Sequence, residues 1–286
     1  MMNAPGNSPL VSVIVPALQD ERHAEAALRS VYDQDYEAVE VIVVDDSRHQ
    51  RAGSVVRAYL EQEDVRRRFR RTIFLEESGH PGGASGAINR GLHESQGGYI
   101  NILGEGDTFA RQRFSRLLRA CSEGGTEFAF SRVEPRADVA AASAEADYIY
   151  CVQDDIEFFP TVGYALLKGQ CAVSTGNLFF SRRLAEEVGG WGVADRSDGW
   201  DFALRCLLLV EPIFVPETLC LYRLGHASFA HRQSSEARES ESVLKNYLFL
   251  CRNRPVTNPL APSPAWGPFF DSFIETSRYG KYLTKP

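Results

Sequence analysis

Long apolar runs are missing from this sequence, as are paired cysteines and, to an unusual degree, lysines. No stretch approaches the ~18 apolar residues of a membrane-spanning helix. The N-terminus, MMNAPGNSPL, has no positively charged start, and the apolar run behind it, VSVIV, is too short for the core of a secretory signal. The six cysteines (Cys121, Cys151, Cys171, Cys206, Cys220, Cys251) include no C-x-x-C and no paired spacing. Several sit in apolar runs, as Cys206 does in ALRCLLLV, where a thiol behaves as a small hydrophobe. Reduced thiols and a cytoplasmic location follow. Only four of the 31 basic residues are lysines (Lys168, Lys245, Lys281, Lys285); the arginine bias points to a GC-rich origin and not to a function. Basic residues are also outnumbered, the net charge being −7, which argues against a general nucleic-acid binder. With 286 residues, 44% of them apolar, the chain can bury a large core, and wholesale disorder is excluded.

The first hundred residues alternate strand and helix signals. VSVIV (11–15) is a buried-strand pattern closed by Pro16, and Ala24, Ala27, Leu28, Val31 and Tyr32 then recur at helical spacing. VEVIVV (39–44) is continuously β-branched and apolar, as in strands covered on both faces of a parallel sheet. A helix over 51–66, a strand TIFL (72–75), a glycine-rich turn GHPGG (79–83), a helix over 84–95 and a strand YINIL (99–103) complete a β-α-β-α-β-α-β series. That order predicts a doubly wound α/β sheet with ligands at the carboxyl ends of its strands. Further on, the pattern predicts a helix over 109–121, a strand over 128–133, a loop or helix of no clear period over 134–146, and a strand at TGNLFFS (175–181). Helices at RRLAEEV and SDGWDFALRCLLLV and another beyond 232 follow, then a Pro/Asn/Ser-rich stretch (252–267) and an aromatic tail.

These segments together resemble the family-2 inverting glycosyltransferases. The resemblance rests on VSVIVPALQDE, SVYDQDYEAVEVIVVDDS, GGASGAINRGL (82–92), GGYINILGEGD (97–107), GNLFFSRRLAEEVGGWG (176–192), SDGWDFALR (197–205) and LYRLGHAS (221–228), in family order and at family spacing over roughly residues 10–230. It implies a GT-A fold, a mostly parallel nucleotide-binding sheet merged with a smaller acceptor lobe. On that reading residues 1–9 are a disordered N-terminus and 10–107 a nucleotide-sugar-binding lobe. Residues 108–231 are an acceptor-binding and catalytic lobe, and 232–286 a C-terminal helix and aromatic tail. The tail AWGPFFDSF (265–273) could wall the acceptor site or act as a lid, or equally pack on the first lobe or on the second subunit of a homodimer.

The resemblance also distributes roles. Backbone at Pro16, Ala17 and Leu18 would form the floor under a nucleotide base, with Glu21 beside it. Asp46 would contact the base, while Asp45 caps the turn. Gly83 lets backbone approach the donor ahead of a helix N-terminus, which favours anions; no G-K-[ST] follows, so this is no P-loop. Asn89 keeps its family match, though it could equally tie down its helix. The acidic motif departs from the family. Where D-x-D-D is usual, the chain reads Gly104-Glu105-Gly106-Asp107. Glu105 and Asp107 sit two apart, so an extended segment would put both on one face as ligands for Mg²⁺ or Mn²⁺, or leave them as two solvent-facing acids. His226 matches the histidine that approaches the metal or diphosphate, and Glu105 would also touch the donor. The catalytic base falls at an E-D pair in the family; here the pair is Asp198-Gly199, followed by Trp200-Asp201. Asp198 is the nearest acid and an apt helix N-cap. Asp201 is the second candidate, although its spacing from Arg205 suits a helical ion pair.

The arginine cluster RRRFRR (66–71) closes a helix and is read as solvated. Three functions compete. The first is transfer of a sugar from a nucleotide-diphosphate donor, most commonly a UDP-sugar in the family, to a hydroxyl on a metabolite, natural product or envelope precursor. The second is a degenerate member that binds a nucleotide or partner without transfer, favoured by glycine at 104, 106 and 199. The third, a sugar nucleotidyltransferase, would want basic residues after the first strand, where PALQDE offers only Arg22.

Overall fold

The computed structural model of the chain describes residues 8–16, 21–45, 50–76, 83–104, 106–137, 143–192, 199–224, 242–268, 270 and 272. The β-branched runs become β1 (Val11–Pro16) and β2 (Val39–Asp45), every residue of both buried. With β3 (Arg71–Glu76) and β4 (Tyr99–Ile102) they form a parallel block ordered β3-β2-β1-β4. The connections are α1 (Glu21–Tyr32), α2 (Gln50–Glu61) with the short α3 (Glu63–Arg68), and α4 (Gly83–Glu94). The helix expected over 51–66 is broken at Gln62, whose extended ψ of 138° restarts the chain as α3.

Then come β5 (Thr108–Phe109), α5 (Arg113–Gly124), β6 (Phe128–Ala137), α6 (Ser143–Asp154) and α7 (Val162–Lys168). A 3-10 turn at Thr175–Asn177 leads into β7 (Phe179–Ser181), α8 (Arg182–Glu187), α9 (Trp200–Leu207) and β8 (Ile213–Leu224). Residues 242–253 are helical as well. Among the described residues the strands make one eight-stranded sheet, β3-β2-β1-β4-β7-β6-β8-β5. β7 is antiparallel to β4 and to β6, and β6 is parallel to β8. The two reversals restore direction, so β8 runs the same way as β1, β2 and β4 and ends on the same side of the sheet.

Two differences from the sequence expectations matter here. β6 runs through Ala137, where a loop or helix was expected from 134, because Val133–Ala137 pair with Cys220–Leu224. β8 was not expected at all. The sheet alternates its side chains between two cores. Val11, Val13, Val15 and Val39, Val41, Val43 pack with α1, α2 and α5, while Ile14 packs with α4, α7 and α9 on the other face. At the amino ends of the strands, buried Glu40 accepts on Oε1 from Ser12 Oγ (2.5 Å), Gln96 N (2.6 Å) and Gly97 N (3.1 Å), while its Oε2 faces Arg71 Nη1 at 3.5 Å, so the buried charge is paired. The opposite, carboxyl ends of the strands hold the candidate site.

Candidate functional site

β1 stops at Pro16, β2 at Asp45 and β4 at Ile102, and Leu103 still donates its amide to Ile14 O (2.8 Å). Three strand ends therefore open on one side, where ligands bind in sheets of this kind. Pro16 is fully buried in this row. Ala17, Leu18, Asp46, Glu105, Asp198 and His226 lie outside the described residues, as do the side chain of Glu21 and the tail beyond 272. Asp45 turns inward against Gly53 of α2, leaving no room there for a Cβ, in keeping with a role in the turn.

Asp107 is buried (5% exposed), and its Oδ1 accepts the amide of Arg223 on β8 at 3.1 Å. Its Oδ2 lies 2.9 Å from the points that a Cβ on Gly104 and on Gly176 would occupy. The carboxylate is thus packed into a slot that only two glycines can wall, and it stitches the end of β8 to the loop after β4. Beside it, the Arg223 side chain crosses Gly106: a Cβ at Gly106 would come within 2.6 Å of Arg223 Cδ, and Gly106 has φ +88°. Arg223 Nη1 then meets His23 Nδ1 of α1 at 3.1 Å.

Beneath this loop lies a wholly buried cation. Arg113, the first residue of α5, donates to Asn101 Oδ1 (2.7 Å), Ser131 Oγ (3.1 Å), Asn177 Oδ1 (3.2 Å), Asn177 O (2.9 Å) and Gly176 O (3.3 Å), and lies over the Phe109 ring. Burial pulls its pKa down to about 10, against a smaller upward pull from Cys220 and Asp107, so it stays charged at neutral pH. The guanidinium fork joins β4, β6 and the Thr175–Asn177 turn by dipoles alone at these contacts.

α9 starts against the same turn. Gly199, at its N-cap, has φ +81°, and a Cβ there would sit 3.0 Å from both Leu178 Cδ1 and Thr175 Oγ1. Asp198 was expected to be the cap; Gly199 holds that position because the backbone there is left-handed, so Asp198 precedes the cap by one residue. Asp201 is committed on both oxygens, to Arg205 Nε (2.8 Å) and to Asn246 Nδ2 (2.7 Å). Arg205 in turn donates to Val188 O and Gly190 O. The ion-pair reading of Asp201 thus describes its surroundings. Asn89 makes a paired contact with the backbone of Trp191 (2.8 Å each way), tying α4 to the segment after α8, and Gly83 opens α4 with φ +54° and free space around it. The arginine cluster is partly structural, since Arg68 donates to the carbonyls of Tyr32, Gln34 and Tyr36. None of the six cysteines, each among the described residues, is in a disulfide.

Residues 12–140 match the family described as Glycosyl transferase family 2. Over those residues the chain is similar to the family-2 glycosyltransferases. It is similar to the GalNAc(5)-diNAcBac-PP-undecaprenol beta-1,3-glucosyltransferase of Campylobacter jejuni, 31% identical over 116 residues that cover 41% of this chain and 36% of that protein. The chain thus spans about a third of that relative's length. Among solved structures it is similar to the mannosyltransferase PcManGT from Pyrobaculum calidifontis in complex with GDP-Man and Mn²⁺ (TM-score 0.68, 18% identity, 98% of this chain and 73% of that one). It is also similar to S. aureus TarS 1–349 in complex with UDP-GlcNAc (TM-score 0.56, 13% identity, 94% of this chain and 81% of that one). The fold is GT-A.

A divalent ion on a family-2 domain needs several hard oxygen ligands. Of the three expected ligands, Asp107 alone is described, and its carboxylate is taken up by the Arg223 amide and the Gly104–Gly176 slot. Among the described residues no group of three or more His, Cys, Asp or Glu could hold a metal. Glu105 and His226, the other two expected ligands, lie outside the described residues, and within the described part Asp107 pins the end of β8. Sequence reasoning also passed over Arg113, Arg223 and His23. Arg113 is separated by 12 to 64 positions from its partners and Arg223 by 200 from His23, so no local pattern announced either.

Proposed function

We propose that the chain transfers a sugar from a nucleoside-diphosphate donor, with UDP-sugars as the first class, to a hydroxyl acceptor with inversion. Pro16, Ala17, Leu18, Glu21, Asp46 and Gly83 receive the nucleotide. Asp198 takes the acceptor proton while the acceptor oxygen bonds to the anomeric carbon and the bond from that carbon to the diphosphate breaks. The proton ends on the carboxylate and the charge leaves with the nucleotide. One observation carries the reading. Gly199 abuts Thr175, and the neighbouring Gly176 abuts Asp107 and Gly104, so the start of α9 and the end of β4 share one short turn. A base next to Gly199 and a donor at β4 would then be neighbours. The UDP-GlcNAc in the TarS complex supports the donor class, and the undecaprenol diphosphate in the Campylobacter relative's name supports an envelope precursor among the acceptors. Among the described residues no helix is long and apolar enough to cross a membrane.

The test is a panel of UDP- and GDP-sugars assayed for transfer or slow hydrolysis. Asp198→Asn should lower kcat by ~10²–10⁴ with donor affinity unchanged, as expected of a lost base. A panel that gives binding with no turnover for any donor would favour the second reading, a nucleotide-binding member without transfer. One observation favours that alternative: the family's base position is Gly199, whose left-handed backbone disfavours any side chain.

A further inference from the structure

We propose that Arg223 binds the donor diphosphate directly, in the space and with the charge that a metal ion would otherwise supply. The proposal rests on the donor reading above. Its first support is steric. The D-x-D positions are Gly104 and Gly106, and over Gly106 lies the aliphatic stem of Arg223, so that a Cβ there would stand 2.6 Å from Cδ. An aspartate at 106 and Arg223 in this pose exclude one another.

The second support is position. β8 runs parallel to the nucleotide-binding strands, and the Arg223 amide is pinned by Asp107 at 3.1 Å. The pin fixes where the side chain leaves the backbone, and from there it reaches across the carboxyl end of β4 to α1. Its Nη1 meets His23 Nδ1 at 3.1 Å. A guanidinium can only donate, so Nδ1 is the accepting atom in this contact. The Arg223 guanidinium and the His23 ring thus meet at the carboxyl end of the sheet, the side on which the proposed donor binds. α1 adds the positive end of its dipole.

The third support is charge. Two aspartates need a dication before an anionic diphosphate can approach. Arg223 offers a permanently charged guanidinium whose planar fork suits bidentate contact with phosphate oxygens.

The experiment is calorimetric titration of UMP, UDP and GDP into the whole chain, in EDTA and in Mn²⁺. In EDTA, UDP should bind the wild type within about threefold of its affinity in Mn²⁺ and clearly more tightly than UMP. Arg223→Gln should weaken UDP by roughly tenfold to a hundredfold, the worth of a hydrogen bond to a charged group, with little change for UMP. Arg223→Lys should fall between, keeping the charge without the fork. UDP binding that requires Mn²⁺, or that is unchanged in Arg223→Gln, would overturn the proposal. If Arg223→Gln does not fold, the wild-type comparison decides: equal affinity for UMP and UDP in EDTA is also fatal. Failure of every nucleotide under both conditions would instead remove the donor reading itself, and this proposal with it.

Discussion

Arg113 Nε donates to Asn101 Oδ1 at 2.7 Å, and neither side chain is exposed to water. The same guanidinium reaches Gly176 O and Asn177 O, so a cation with no acidic partner within hydrogen-bond distance among the described residues holds the turn between β4 and α9. Arg113→Met should cost about 3 kcal/mol or more, since each stranded buried acceptor is worth 1–3 kcal/mol. Arg113→Lys should recover little, because an ammonium cannot span the fork. Urea unfolding checks both, and a loss below 1 kcal/mol for Arg113→Met would mean that the buried fork contributes almost nothing.

Gly199 is the second test. With φ +81° and two side chains 3.0 Å from its missing Cβ, Gly199→Asp should lower stability by about 1–3 kcal/mol through left-handed strain and crowding. Restoring an acid at the family's base position should also not raise the transfer rate. A thermal melt read beside a rate assay covers both parts.

Asp107 supplies the third. Asp107→Ala leaves the Arg223 amide without its acceptor and should speed hydrogen exchange at that amide and its neighbours on β8. Asp107→Asn keeps an oxygen at 3.1 Å and should exchange at close to the wild-type rate. Equal protection in wild type and Asp107→Ala would show that the pin is idle.

Lys168, at the end of α7, sets a pH dependence. Burial lowers its pKa from 10.5 to about 8, so between those values the unfolded chain binds more protons than the folded one. Stability from this group therefore rises with pH across about 8 to 10.5 and is at its lowest below 8. The buried thiols act in the opposite sense, burial raising Cys121 to about 12, so the comparison must be with Lys168→Met. The melting temperature of the wild type relative to Lys168→Met should climb from pH 7.5 to 10. A flat difference would contradict the burial cost.

The parallel half of the fold is legible in the sequence because each piece is local. Val11–Val15 and Val39–Val44 are continuous β-branched runs, and Ala24 to Tyr32 keep one helical face. β8 is not, since Pro216, Glu217 and Thr218 interrupt it and its stability comes from pairing with β6 across some eighty positions of chain. The extension of β6 past residue 133 is hidden for the same reason. In the site, Asp107 and Asp201 stand out as acids, yet a sequence shows the acid and not its partner: the Arg223 amide for one, Arg205 and Asn246 for the other. Asp198 looks like a cap because aspartate caps well, and the actual cap, Gly199, is chosen by a backbone angle that residue type only hints at.

The slot around Asp107 has an evolutionary side. An acid placed at 104 would collide with the Asp107 carboxylate, and one placed at 106 would collide with Arg223. Each single step back to the common acidic motif therefore meets a side chain that must change first. Regaining an acid at 104 or 106 is thus coupled to a shift or change at 107 or 223, and such epistasis works as a ratchet. Descendants of this chain are held to its arrangement by packing alone, whatever their donor or acceptor becomes.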